Sequence, residues 1–144
     1  MDISLLWPLA LLIILNTFYH IASKAVAPEA NVFVSLIISY AIACAICLFL
    51  FAVTSGGIGL IVEEIKNVNI AALTLAVGAF GIESGNIYMY KLGWDISIGN
   101  LIASIFLSIL LIVVGVLFYG DQFTLEIAAG VALCMIGLVL INSN

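Results

Sequence analysis

The chain has 144 residues, 66% of them hydrophobic and only 8% charged, where a soluble domain has roughly 45–50% apolar and about a quarter charged residues. That balance, with a mean hydropathy of +1.40, excludes an ordinary soluble domain and places the chain in lipid. Three lysines, no arginine and a net charge of -5 leave no basic patch for nucleic acid, and the length suits one small bundle with no separate soluble domain.

An apolar helix needs about 20 residues to cross ~30 Å of hydrocarbon, and five segments meet that length approximately. The expected fold is therefore an all-α membrane protein of five transmembrane helices. The first segment runs from Leu5 to about Ala25, with Trp7 at the interface and Pro8 in the first turn, where a missing N–H does little harm. Met1-Asp2-Ile3-Ser4 carries no positive n-region, so this segment reads as a retained anchor and not as a cleaved signal. Pro28 separates it from the second segment, about Val32 to Val53, which Thr54-Ser55-Gly56-Gly57 then breaks. Ile58 to Asn67 is a short amphipathic link bearing Glu63, Glu64 and Lys66.

The third segment spans about Asn69 to Tyr90 and ends in an interfacial turn, Lys91-Leu92-Gly93-Trp94-Asp95. The fourth runs from about Ile96 to Tyr119. Gly120-Asp121-Gln122-Phe123 leads into the fifth, about Thr124 to Ile141, with Thr124 as N-cap. Connections this short make sequential helices antiparallel neighbours. Lys24, Glu29, Lys91 and Asp95 then share one side of the membrane, and Asp2, Glu63, Glu64, Lys66, Asp121 and Glu126 the other. Lysines in short loops orient a membrane protein, and two against one is a weak instruction. A small bias placing the first side in the cytoplasm and a dual topology, with the chain inserting both ways, both fit it.

Glu83 is the main functional clue. It lies inside the third apolar segment, where a charge costs at least about 2.5–3.5 kcal/mol on insertion scales and normally marks an ion, proton or substrate path. Polar stripes run along three segments: Asn16, His20 and Ser23 on the first, Glu83, Asn86 and Tyr90 on the third, Asn100, Ser104 and Ser108 on the fourth. Taking Leu15 and Phe80 as mid-helix positions, His20 lies ~7 Å and Glu83 ~4–5 Å from the midplane, both toward the Lys24 side. The expected site is a cavity open on that side and lined by His20, Glu83, Asn86, Asn100 and Ser104, with Asn16 and Tyr90 as further substrate- or proton-binding candidates.

Plainer readings stand beside these. Asn and Ser in membrane helices commonly form interhelical hydrogen bonds worth about 1 kcal/mol, so Ser104 and Ser108 read first as packing, and His20 and Asn16 divide between the two roles. Cys44 and Cys47, a C-x-x-C pair, and Cys134 fall in apolar runs with no charged or imidazole neighbour to stabilise a thiolate, and read as small packing residues. Gly81 and Gly85 form a G-x-x-x-G spacing on the side of their helix opposite Glu83, and Gly130 and Gly137 share a face of the last segment; both stripes suit close helix approach.

The order of these pieces resembles one repeat of the drug/metabolite transporter superfamily, EamA-type branch. Gly120-Asp121-Gln122-Phe123-Thr124 stands where that family has a Gly-Glu-Arg/Gln-Leu-Thr turn, and Ala129 to Ile141 resembles its closing helix of alternating small and branched residues. Lys24 matches a lysine common at the end of the family's first helix. Tyr88 to Leu92 resembles the end of its third. The chain departs from the pattern in lacking a Trp-Gly pair near Asn16-Thr17 and a Ser-Pro kink near Leu107-Ser108. Glu83 has no counterpart typical of the family, and the related small multidrug resistance proteins carry their carboxylate on helix one, near Asn16. The resemblance implies one repeat of a transporter that usually has two, completed by a second copy.

Residues and resemblance together lead to a secondary transporter of small organic solutes, cations or amines, coupled to protons through Glu83 and multi-pass in a prokaryotic inner membrane. An antiparallel homodimer ranks ahead of a parallel dimer or a heterodimer. The competing reading is a non-transporting membrane subunit in which Glu83 only hydrogen-bonds a neighbouring helix. No cofactor or metal is implied, and an enzyme is not expected, because paired carboxylates and nucleophile–base spacings are missing from the sequence.

Overall fold

The computed structural model describes residues 6–142, and all regular structure among them is helical. The expected start of the first span at Leu5, and Asp2 with it, lie outside the described residues. Helix α1, Trp7–Ala25, takes Pro8 into its first turn. It stops two residues short of Ala27, whose backbone Pro28 biases away from helical geometry. Helix α2, Val32–Ser55, starts on the Asn31 side chain, which accepts from the N–H groups of Phe33 (2.9 Å) and Val34 (3.4 Å). It ends at Gly56 with φ +80°, a left-handed conformation that glycine adopts without a Cβ penalty.

The amphipathic link is a run of short turns around α3, Ile61–Glu64. Helix α4, Ala71–Lys91, begins where the Asn69 side chain accepts from the Ala71 N–H at 3.0 Å. Helix α5, Ile96–Val114, continues into one π-helical turn, Gly115–Tyr119, closed by Gly120 at φ +71°. Helix α6, Leu125–Asn142, has the expected cap: the Ile127 N–H donates to the Thr124 hydroxyl at 3.4 Å.

Three helical stretches among the described residues are long and apolar enough to cross a membrane: Trp7–Ala25, Val32–Ser55 and Ile96–Tyr119. The protein is an integral membrane protein on that ground. Helix α4 qualifies only jointly with the Ile58–Asn67 link, from which it is bent by 101°. Glu83, Ser84, Asn86 and Lys91 dilute its apolar character. Helix α6 is also apolar but shorter.

The chain divides into two compact units, Met1–Gly93 and Trp94–Asn144. In the first, α4 is the central helix, and α1 and α2 each pack on it. The buried apolar centre is small: Val32 and Leu36 of α2 against Ile87 of α4, flanked by Val26 and Tyr40. Lys91, in the last turn of α4, donates to the backbone carbonyls of Pro28 (2.9 Å) and Ala30. It thereby ties the α1–α2 connection to the end of α4. In the second unit α5 packs along α6.

Candidate functional site

Glu83 sits on the face of α4 that meets both neighbours. One turn below the Ile87 contact, its half-buried side chain lines a pocket of about 120 Å³ together with Tyr19 and Ser23 of α1 and Ser35 and Ser39 of α2. Ala22, Val26, Leu36 and Ile87 complete the wall. No lysine is among these residues, and the polar groups beside the carboxylate are hydroxyls, with Tyr19 the aromatic residue of the lining. The buried Tyr40 hydroxyl of α2 lies beside the Glu83 carboxylate, in range of it but outside the geometry of a formed hydrogen bond. A carboxylate held between three apolar helices, with hydroxyls around it, can hold a proton or a cation.

The other residues expected on this stripe of α4 face α1. His20 and Tyr90 are both buried, and the Tyr90 hydroxyl shares a 2.8 Å hydrogen bond with His20 Nδ1. Their rings meet edge to face with centroids 6.1 Å apart. With Nδ1 unprotonated the phenol is the donor. Asn86 Nδ2 donates to the Tyr19 hydroxyl at 3.4 Å. Two adjacent residues of α1 thus clasp two residues one turn apart on α4, and His20 pairs with Tyr90 where the depth reading placed it opposite Glu83.

This clasp has a measurable consequence. Tyr90→Phe leaves His20 Nδ1 buried without its partner and should lower stability by about 1–3 kcal/mol, the usual cost of an unsatisfied buried polar group. Tyr40→Phe removes a hydroxyl that makes no formed bond, and should cost less than about 1 kcal/mol. Thermal unfolding of the purified protein in detergent compares the two, and equal losses would contradict the pairing.

The remaining candidates are placed differently. Asn16 is exposed on α1, three residues below Tyr19. Asn100, half-buried, and Ser104, exposed, stand on α5 in the second unit. Ser104 lines an apolar groove of about 340 Å³ between α5 and α6, with Ser108, Gly130 and Cys134. The Ser108 hydroxyl donates to the Ser104 carbonyl at 2.7 Å, the backbone contact usual for serine in a membrane helix. Cys44, Cys47 and Cys134 are free thiols on exposed helix surfaces. Among the described residues no three His, Cys, Asp or Glu side chains converge as a metal site.

Sequence reading missed the contribution of α2. Ser35, Ser39 and Tyr40 form a fourth polar stripe, at i, i+4 and i+5, and the signal was the same four-residue serine spacing recognised on the fourth segment. In comparison with known proteins, no family model, no characterised protein and no solved structure matches the chain.

Proposed function

We propose that the protein is a secondary transporter of small organic cations, in which Glu83 binds proton and substrate in turn. The observation that carries this reading is the half-buried Glu83 carboxylate in a hydroxyl-lined pocket among α1, α2 and α4. Packing alone gives no reason for a charge there, since its burial in hydrocarbon costs free energy that a neutral residue would avoid. An acidic pocket without a lysine favours cations over anions.

On this reading the five spans are α1, α2, α4, α5 and α6, and the chain is one EamA-like repeat in a prokaryotic inner membrane. Helices of 21 and 18 residues are ~32 and ~27 Å long at 1.5 Å per residue, close to the hydrocarbon thickness. A second copy, antiparallel, completes the path, and alternating access rocks the two repeats around the site. The open face of α4 supports such a partner: beyond its own stretch of helix, a Cβ at Gly78, Gly81 or Gly85 would meet no described atom within 4 Å.

A second reading has its own observation. The His20–Tyr90 and Asn86–Tyr19 bonds put three of the expected site residues to work as interhelical contacts, which is what a scaffold subunit would do with all of them. Proton flux separates the two. Purified protein in liposomes, challenged with a gradient of a small organic amine, should move protons in the opposite direction. Because proton and cation compete for one carboxylate, apparent substrate affinity should fall as pH is lowered. Amine gradients that move no protons at any pH would favour the scaffold.

A further inference from the structure

The three serines that share the Glu83 pocket have all committed their protons elsewhere. Ser23 donates to the Tyr19 carbonyl at 2.8 Å, Ser35 to the Asn31 carbonyl at 3.2 Å, and Ser39 to the Ser35 carbonyl at 3.0 Å. A serine whose proton is bound to its own helix offers only lone pairs to a ligand. Toward a ligand the pocket therefore presents a carboxylate and three serine oxygens as acceptors, with Tyr19 as the aromatic residue of its wall. The Tyr19 oxygen accepts from Asn86, which leaves its own proton as the one donor of the lining.

We infer that this pocket is built for a small primary ammonium ion, whose three N–H groups are shared between the Glu83 carboxylate and the serine oxygens. The inference rests on the transport reading of Glu83 and narrows its substrate. The volume of about 120 Å³ equals about four water molecules at ~30 Å³ each. That suits an alkylammonium of a few carbons, whose chain lies against Ala22, Val26, Leu36 and Ile87. A quaternary ammonium has no N–H to place on the serines, and a single aromatic wall falls short of the cage that recognises such ions through their cation–π attraction. A zwitterionic amino acid would set its own carboxylate in the same small pocket as that of Glu83, like charge against like. A bulky aromatic cation exceeds the space.

Two isomeric ions isolate this chemistry. n-Butylammonium and tetramethylammonium have the same formula and charge, and differ in N–H groups. Binding of radiolabelled n-butylammonium to the purified full-length protein in lipid nanodiscs, competed by either unlabelled ion, should favour n-butylammonium by about tenfold or more, the effect of one good hydrogen bond to a charged group. Ser35→Ala with Ser39→Ala should weaken n-butylammonium binding about tenfold and narrow the gap between the isomers. Both serines bond only to the backbone of α2, so the fold does not depend on them, and the comparison of isomers on the unaltered protein needs no variant at all. Equal competition by the two ions, or no n-butylammonium binding that Glu83→Gln removes, overturns the inference. Selective, Glu83-dependent binding without flux in liposomes would leave the site standing and remove transport. Flux that does not distinguish the isomers would leave transport standing and remove this site.

Discussion

Glu83→Gln should reduce amine-driven proton flux in liposomes to the level of protein-free vesicles, while the protein still folds and keeps its oligomeric state. The amide has nearly the shape of the carboxylate, so the pocket wall and the adjacent Ile87 contact are undisturbed. Glutamine cannot ionise, and that removes both the proton to be exchanged and the charge that draws a cation out of water. An amide NH2 beside the pocket would meet the serine lone pairs and fill the place of the ammonium. The loss should therefore appear in affinity and in turnover together. Glu83→Asp keeps the charge but withdraws it by one methylene, and should retain partial flux with an altered pH profile. Should the Gln variant carry amines at the wild-type rate with unchanged pH dependence, Glu83 would be a structural hydrogen-bonding group, and the scaffold reading would take over.

Helix positions were largely legible in the chain because lipid imposes a simple rule: apolar for about 20 residues, then punctuation. Pro28, Gly56 and Gly120 are that punctuation, and the helices stop at or near each of them. Glu83 was legible for the same reason, as an exception to the rule. Pairing was harder. Counting from assumed mid-helix positions places residues in depth only to within about one turn, ~5.4 Å, and a tyrosine or a lysine reaches further than that. The His20–Tyr90 bond is set by long side chains and by the Lys91 tie at the helix end, neither of which periodicity encodes. The exposure of Asn16, one turn from His20, has a similar cause. Among the described residues helix α1 packs on α4, so a residue slightly off that seam faces outward.

The pocket itself was only half legible. Its α4 and α1 walls follow from polar stripes, whereas the α2 wall depends on which neighbour α2 packs against, and its apolar sequence is too uniform to reveal that. Ser35 and Ser39 look like the backbone-bonded serines of any membrane helix, and they are. Their use lies in the lone pairs left over beside a carboxylate, which becomes visible only when α2 and α4 are brought together.

Reporter fusions at the C-terminus should give signal on both sides of the membrane. Lys24 and Lys91 share one expected side and Lys66 the other, and a difference of one lysine gives the insertion machinery little preference. The contact of Lys91 with the Pro28 and Ala30 carbonyls does not remove its charge, so it still counts. Adding two lysines next to Gly120 reverses the count on the Lys66 side to three against two. With more positive charge there than opposite, the orientation that keeps this side in the cytoplasm should predominate. A dimer that needs both orientations would then lose its partner. The lysine-enriched variant should transport poorly alone and recover when co-expressed with a variant biased the opposite way. A reporter signal from one side only in the unmodified protein would rule out the antiparallel homodimer, and a parallel or hetero-oligomeric arrangement would have to supply the second half of the path.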